Sequence, residues 1–455
     1  MADKHTNASH DPSMKSWVES ANDPATDFPI QNLALCAFQA EHDGHSHGHL
    51  GVAIGDQILD VSTLAMSGLL GDPEGELAYM LHAPSWNFIA ASPHLWGEVR
   101  SKLQEFLRAD AGGGQKARRL RDKALTPIAD AKLILPMAVF DYTDFYASKH
   151  HATNVGSMFR PDNPLLPNYK HVPIGYHGRA SSLVVSGTPV RRPLGQQAPP
   201  DGEPGAGPSF GPCKLLDYEM ELGVYTGASN RLGEPIPMDR VAECLFGMCI
   251  LNDWSARDLQ KWEYQPLGPF LAKNFASTLS PFVVTLDALA PFRIEGPARD
   301  AGDPQPLPYL RGSGDWSIDI TVEVWIQSEQ MRQKGMAPIR ISRGSFKDMY
   351  WTIDQMLVHH ASNGCNMQAG DLLGSGTISG PSAEARGCLL EMTWQGNGPD
   401  GKPLPRKPID LPSGETRTFL ADGDEVIMKA YCEREGYRRI GFGECRGRIV
   451  PAPSI

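Results

Sequence analysis

Leu215-Leu-Asp-Tyr-Glu-Met-Glu-Leu-Gly223 is the stretch from which the rest of this 455-residue chain is read. Asp217, Glu219 and Glu221 alternate with Leu216, Tyr218, Met220 and Leu222. That period of two predicts a β-strand with one apolar face. Side chains two residues apart share a face at a separation of roughly 7 Å. Two carboxylates at that distance repel by about 2.4 kcal/mol at an effective dielectric of about 20, so an enclosed face needs something to neutralise it. A half-buried strand with a solvated acidic face accounts for the stretch taken alone. Two further carboxylates change the reading: Asp253 in Leu251-Asn-Asp-Trp-Ser-Ala-Arg-Asp258, and Asp144 in Asp141-Tyr-Thr-Asp-Phe-Tyr146. Oxygen donors with no Cys among them suit a hard cation, Mg2+ or Ca2+, rather than zinc.

Length allows roughly two to four domains and a sizeable core. Net charge is −11, with 42 Lys+Arg against 53 Asp+Glu, and no basic run stands out, which argues against nucleic acid as a partner. An acidic substrate would have to be met by local Arg and Lys. The eight cysteines are scattered without a C-x-x-C and read as free thiols in a reducing compartment. No apolar run is long enough to span a membrane, and Met1–Met14 lacks a signal peptide's hydrophobic region. A cytoplasmic protein is expected.

Residues 1–28, polar and rich in Ser, Asp, Asn and Pro, read as a loose N-terminal arm. Asn32–Gln39, Leu50–Ile54 and Gln57–Val61 read as short strands, with Glu41–His49 a mobile exposed turn despite its four histidines. Leu95–Leu107 is an amphipathic helix; Gly112–Gly114 breaks it, and Gln115–Leu125 resumes it. The Pro-bearing junction at residues 126–136 places a domain boundary near 135, giving domains 29–135 and 136–455. Beyond it, short β-rich runs alternate with Gly/Pro turns, interrupted by helices at Asp239–Leu251 and Phe346–Ser362. Gly195–Pro208, Gly296–Gly314 and Gly396–Pro405 read as irregular surface loops. No repeat, G-x-G-x-x-G or Walker-type loop supports nucleotide chemistry.

Three other stretches are dense in reactive groups. Asp141–Arg160 offers Asp144 as a metal ligand, Tyr146 as a phenol donor, His151 as a base and Arg160 as an anion clamp. A histidine base needs a carboxylate on its other nitrogen, and Glu391 is a candidate because it sits charged in the strand-like run Leu389-Leu-Glu-Met-Thr-Trp394. Pro173–Ser186 has the glycines of a loop packed on a ligand, with Tyr176 facing the pocket. Asp253–Lys273 holds Arg257, Gln260, Tyr264 and Lys273, read either as surface ion pairs or as donors aimed at a developing oxyanion. Gly374–Gly380 resembles an anion-holding nest.

At these residues the chain resembles the fumarylacetoacetase family. The likeness runs through Asp27-Phe-Pro-Ile-Gln-Asn-Leu33, Gly51-Val-Ala-Ile-Gly-Asp-Gln-Ile-Leu-Asp60, His151–Arg160 and Gly175–Arg179. It continues through Leu251–Lys273, Asn363–Gly380 and Thr416–Val426 to Gly441-Phe-Gly-Glu-Cys445. So many motifs in order across two domains are highly specific. The resemblance implies a mainly β fold with some α, a small SH3-like N-terminal barrel joined to a larger mixed β-roll, working as a homodimer. It implies hydrolysis of the carbon–carbon bond of 4-fumarylacetoacetate, a dianionic diketo acid, to fumarate and acetoacetate, the last step of tyrosine and phenylalanine degradation. Carried over by position, it implies a divalent cation on Asp144, Glu219, Glu221 and Asp253, and a second cation-associated position at Lys273 and Ser277. It implies water activation by His151 with Glu391 and oxyanion stabilisation by Arg257, Gln260 and Lys273. Substrate contacts fall to Tyr146, Arg160, Tyr176, Gln260, Tyr264 and Thr377. One departure is Lys273-Asn-Phe-Ala-Ser277, where a Lys-Ser-Phe-Gly-Thr type run is expected; Ser277 keeps the hydroxyl. Within the superfamily, the alternative is an acylpyruvate hydrolase, or a hydratase or decarboxylase of keto acids; outside enzymes, it is a divalent-ion or ligand-binding protein. The His151–Glu391 pair and the full N-terminal domain favour the fumarylacetoacetase reading. Asp217, on the face of the proposed ligands, is expected outside the cage.

Overall fold

The structure, a computed structural model, describes residues 5–42, 45–111, 115–121, 123–200, 205–399 and 401–454. Strands dominate a mixed α/β architecture. In the N-terminal part an antiparallel sheet runs in the order Leu125–Pro127, Gln57–Asp60, His45–Ile54, Leu35–His42, Lys132–Ile134. The helix Pro93–Leu107 buries Trp96, Val99, Leu103 and Leu107, spaced to make one apolar stripe. The segment expected as a loose arm is instead packed from residue 5 onward. Val18 and Ala21 are buried in this core, and the Trp17 indole donates to the Phe106 carbonyl at 2.8 Å. Most of Glu41–His49, expected as a mobile turn, is ladder: Glu41 pairs with Ser46 and Phe38 with His49, while residues 43 and 44 lie outside the described residues. His49 is fixed by Asp60 at 2.8 Å.

The larger part is built on an eight-stranded mixed sheet among the described residues. Its path is Gly175–His177, Tyr142–Phe145, Leu372–Gly374, Met220–Thr226, Leu245–Asp253, Ser277–Leu279, Leu183–Val185, with Val284–Thr285 also on Leu245–Asp253. A five-stranded sheet runs Ile339–Ser345, Thr321–Gln327, Glu425–Cys432, Ile440–Val450, Val190–Arg191. Asp239–Leu251, expected as a helix, holds only a short turn, Val241–Cys244, before the strand Leu245–Asp253 begins. The reason is burial on both sides. Leu245, Met248 and Ile250 enter one hydrophobic core, while Phe246, Cys249 and Leu251 enter the core shared with the N-terminal part. A strand covered on both faces needs a continuous apolar run, which periodicity alone cannot tell from a helix. The second expected helix, Phe346–Ser362, is regular only over Ile353–Ala361, and Gln115–Leu125 only over Gln115–Arg121. The start of Gly195–Pro208 is not irregular: Leu194–Gln197 pairs with Ser209–Pro212.

The acidic stretch is also more enclosed than its alternation suggests. It breaks into Leu216–Asp217 and Met220–Thr226, and every residue from Leu216 to Thr226 is buried. The half-buried, solvated reading is therefore overturned; the carboxylates face protein, not water. Next to them Gly376 has a φ of +74, and a Cβ there would lie 2.2 Å from the Phe145 carbonyl oxygen. Gly376→Ala is expected to destabilise the fold by about 3 kcal/mol or more. Gly187→Ala, at φ +91 in open space, should cost only about 1 kcal/mol. Denaturant midpoints of the two variants check this contrast.

Candidate active site and metal centre

Four consecutive strands of the central sheet bring the acidic residues together. Asp144 pairs with Gly374, Gly374 with Gly223, and Glu221 with Leu251, two residues before Asp253. Glu219 sits in the break between the two halves of the acidic stretch. One ligand atom from each of Asp144, Glu219, Glu221 and Asp253 lies within 4.8 Å of all the others, and all four residues are buried. Gly374 makes this possible, because a Cβ there would come 2.9 Å from Asp144 Oδ1 and 3.1 Å from Glu221 Oε2.

Positive charge is distributed unevenly around the cluster. Lys273 Nζ donates to Glu219 Oε2 and Asp253 Oδ2, both at 2.5 Å, and Arg257 Nη1 donates to Glu219 Oε1 at 2.7 Å. Ser277 Oγ donates to Asp253 Oδ1 at 2.8 Å. An ammonium has no lone pair to offer a metal, so Lys273 enters as charge and not as a ligand. Burial pushes Glu219 up, but Lys273 and Arg257 outweigh it and hold the carboxyl below its usual range. On the other side, burial and then the Asp253 charge lift Asp144 to about 8, and burial and then the Asp144 charge lift Glu221 well above its ordinary value. Asp144 Oδ1 and Glu221 Oε1 are buried without a hydrogen-bond partner. Two orphaned carboxylate oxygens beside an all-oxygen donor set fit a hard divalent cation.

His151 lies in the first turn of the helix Lys149–Phe159, whose N-cap Ser148 accepts the His151 amide at 3.2 Å. Its Nδ1 is 2.6 Å from Glu391 Oε2. Asn154, one turn along, donates to Glu391 Oε1 at 2.6 Å, and Ser379 Oγ donates to Oε2 at 2.8 Å. Burial would raise the Glu391 carboxyl, but the His151 charge and these hydrogen bonds hold it at about 2. With Nδ1 engaged, Nε2 is the nitrogen left to accept a proton. Glu391 stands in a short helix, Leu389–Met392, not in the strand its apolar neighbours suggested. The buried Cys388 thiol, 3.2 Å from Glu391, is pushed well up by burial and by that carboxylate, which makes it a poor nucleophile.

The remaining expected residues surround these two clusters. Arg257 is clasped by Asp217 at 3.0 Å, Glu219, and Gln260 Oε1 at 3.1 Å, leaving its buried Nη2 without a partner. Tyr176, paired with Asp144 across the sheet, approaches Asp253 Oδ2 at 3.5 Å. The Tyr146 ring meets His151 edge-on at 5.3 Å. Thr377 is buried with its hydroxyl unpartnered, next to Gly376, whose N–H donates to Glu221 at 3.1 Å. Arg160 and Tyr264 stand at the C-terminal ends of the helices that carry His151 and Arg257–Gln260. Sequence reasoning missed Asn154, Ser379, Cys388 and Tyr142, whose buried hydroxyl is unpartnered. Asn154 was open to detection, lying three residues from His151 on one helical face. Volume does not mark the site: a cleft of about 1160 Å³ lined by Met238, Arg293, Tyr309 and Trp316 contains none of these residues.

Comparison with known proteins adds a second line. The family model described as fumarylacetoacetate (FAA) hydrolase C-terminal matches residues 142–450, and the one described as fumarylacetoacetase N-terminal matches residues 31–136. The chain is 48% identical over 444 residues to the fumarylacetoacetase of Bos taurus, covering 97% of this chain and 100% of that protein. It is 48% identical over 439 residues to that of Homo sapiens, covering 96% and 99%. With that of Dictyostelium discoideum it shares 45% over 448 residues, covering 96% and 98%.

The low Glu391 value has a consequence for stability. A carboxyl depressed on folding stabilises the native state above its unfolded pKa, here 4.5, and that contribution is lost as pH falls towards about 2. Melting temperatures measured from pH 6 down to pH 3 should therefore fall less steeply for Glu391→Gln than for the parent. Parallel curves would contradict the depressed value.

Proposed function

Because the chain belongs to the fumarylacetoacetase family, we propose that the carboxylate cluster and the His151–Glu391 pair carry its hydrolysis of 4-fumarylacetoacetate to fumarate and acetoacetate. The observation that carries this reading is the convergence of Asp144, Glu219, Glu221 and Asp253 within 4.8 Å, with unpartnered oxygens on the side that Lys273 and Arg257 do not reach. These four residues would hold Mg2+ or Ca2+. When bound, such an ion supplies a Lewis acid for the negative charge that develops on the diketone oxygens.

The chain's own groups do the rest. His151 Nε2 takes a proton from water while Glu391 holds the ring through Nδ1 and stabilises the imidazolium. Attack of that water on the carbonyl places negative charge on its oxygen; collapse of this oxyanion releases fumarate, breaks the carbon–carbon bond and expels acetoacetate as its enolate, whose carbon takes up one proton, balancing the one His151 removed from water. Arg257 Nη2 is a buried donor without another partner, and Gln260, whose Oε1 already accepts from Arg257, has its amide NH2 to offer. Burial opposes charge on Lys273 and Arg257, but their carboxylate neighbours win and keep both protonated. Tyr146, Arg160, Tyr176, Tyr264 and Thr377 contact the substrate, whose two carboxylates call for cationic and hydroxyl donors. Lys273 and Ser277 form the second cation-associated position; both already bond to Asp253.

The same reading divides the chain into residues 29–135, an SH3-like barrel supported by the five-stranded antiparallel sheet, and residues 136–455, the β-roll that holds the site. It takes the enzyme as a homodimer in the cytoplasm; the eight free cysteines suit a reducing compartment.

A spectrophotometric assay of fumarylacetoacetate loss, run before and after chelation, tests the role of the ion. Chelation should abolish turnover and Mg2+ or Ca2+ should restore it; undiminished turnover in chelator removes the ion from the reaction. His151→Ala is expected to retain ion affinity by calorimetry while kcat falls about 10²- to 10⁴-fold. Turnover at the parent's rate would dismiss His151 as the base.

A further inference from the structure

Asp217 shares the acidic stretch with two cage residues yet lies outside the cluster of four. It is fully buried, and four donors surround its two oxygens. Oδ1 accepts the amides of Tyr218 and Leu389, both at 2.9 Å. Oδ2 accepts the Leu390 amide at 2.9 Å and Arg257 Nε at 3.0 Å. The amides of Leu389 and Leu390 belong to the turn that carries Glu391, the partner of His151. Arg257, through its other nitrogen, holds Glu219 of the cage. One carboxylate thus sits where three pieces of the site meet.

We propose that Asp217 is a positioning residue that fixes the Glu391 turn and the Arg257 guanidinium relative to each other, so that water activation and oxyanion stabilisation act on the same carbonyl. The proposal rests on the reading of His151 and Glu391 as the water-activating pair. Two backbone amides on Oδ1, and one amide with the Arg257 guanidinium on Oδ2, give the carboxylate one orientation, and a displacement of the turn by a fraction of an ångström would move His151 Nε2 with it. Asparagine has nearly the same shape, but its NH2 must face either two amides or an amide and Arg257. Donor then meets donor on one side whichever way it flips.

The test is Asp217→Asn, alone and combined with Glu391→Gln, assayed on fumarylacetoacetate with the divalent ion present. Asp217 touches no substrate, so kcat should fall about thirtyfold or more while KM stays within about threefold. Because both changes act on one pair, the double variant should fall short of the product of the two single losses by about fivefold or more. A kcat within about twofold of the parent, a change confined to KM, or losses that simply multiply would overturn the proposal. Full turnover by Glu391→Gln alone would overturn the pair and this proposal with it. Impaired Glu391→Gln beside unimpaired Asp217→Asn would overturn this proposal only. Should Asp217→Asn not fold, Arg257→Met gives an independent measurement, in which deuterium exchange at Leu389 and Leu390 should quicken about tenfold. Unchanged exchange there would show that the carboxylate does not couple the two.

Discussion

Four buried carboxylates held against one another are the constraint on which this site is built. At the 4.8 Å limit of their separation, each ionised pair repels by about 3.5 kcal/mol at an effective dielectric near 20. Burial in low dielectric adds a cost of its own for each charge. The fold answers with two cations on one side only. Lys273 and Arg257 both reach Glu219, and Lys273 also reaches Asp253. Asp144 and Glu221 receive no comparable partner, and their protonation is favoured accordingly. The protein therefore holds in its interior a cluster in which Glu219 is kept ionised by two cations while Asp144 and Glu221 favour the protonated form. Such an arrangement is poor for stability by itself and well suited to a hard cation.

The same electrostatics separate the acid and base assignments. Glu391 is as buried as the cage carboxylates, yet it is held ionised by His151, Asn154 and Ser379. Burial raises a carboxyl by default; a carboxyl found low has been given specific donors for a purpose. Here the purpose is to fix an imidazole in the tautomer that leaves Nε2 open. The neighbouring Cys388 shows the contrast: burial and the Glu391 and Asp217 charges outweigh the Arg257 charge and push its thiol well up. The histidine also reaches the cage: its charge is among the influences that lower Glu219.

The chemistry was more legible in the sequence than the fold. Residue type pointed to a hard-cation site among Asp144, Asp253 and the acidic stretch, but it did not separate Asp217 from Glu219 and Glu221; that choice came with the family resemblance. His151 and Glu391 could be paired because a base needs an orienting acid. What failed was periodicity. Leu245–Asp253 is buried on both faces by two cores, so its apolar run carried no alternation, and all of it but Asn252 and Asp253 was assigned to a helix. The acidic stretch alternates as a half-buried strand would, yet its charged face is enclosed; Asp144 and Asp253 argued for that from elsewhere in the chain, while the neutralising Lys273 and Arg257 arrive from segments that no local pattern reveals. Asp217 stayed unexplained for the same reason, its partners at Leu389 and Leu390 lying 172 and 173 residues away.

These separations bear on how the site comes into being. Asp144 reaches the cage through a parallel pairing with Leu372–Gly374, a contact across more than half of the larger part of the chain. Gly374 in turn must meet Gly223, and Met220 must meet Asn252, before Glu221 and Asp253 share a space. No one of these segments can preform the cluster: Asp144, the Glu219 and Glu221 pair, and Asp253 come from three separate stretches, with Leu372–Gly374 bridging the first two. The cage exists only when the central sheet is complete. A cation that binds it consequently binds the native state almost exclusively, and its binding free energy adds to folding free energy. A bound cation would offset the repulsion among the ionised carboxylates, and the enclosed sheet, with glycines at 374 and 376 where side chains would intrude, leaves the four of them room to converge.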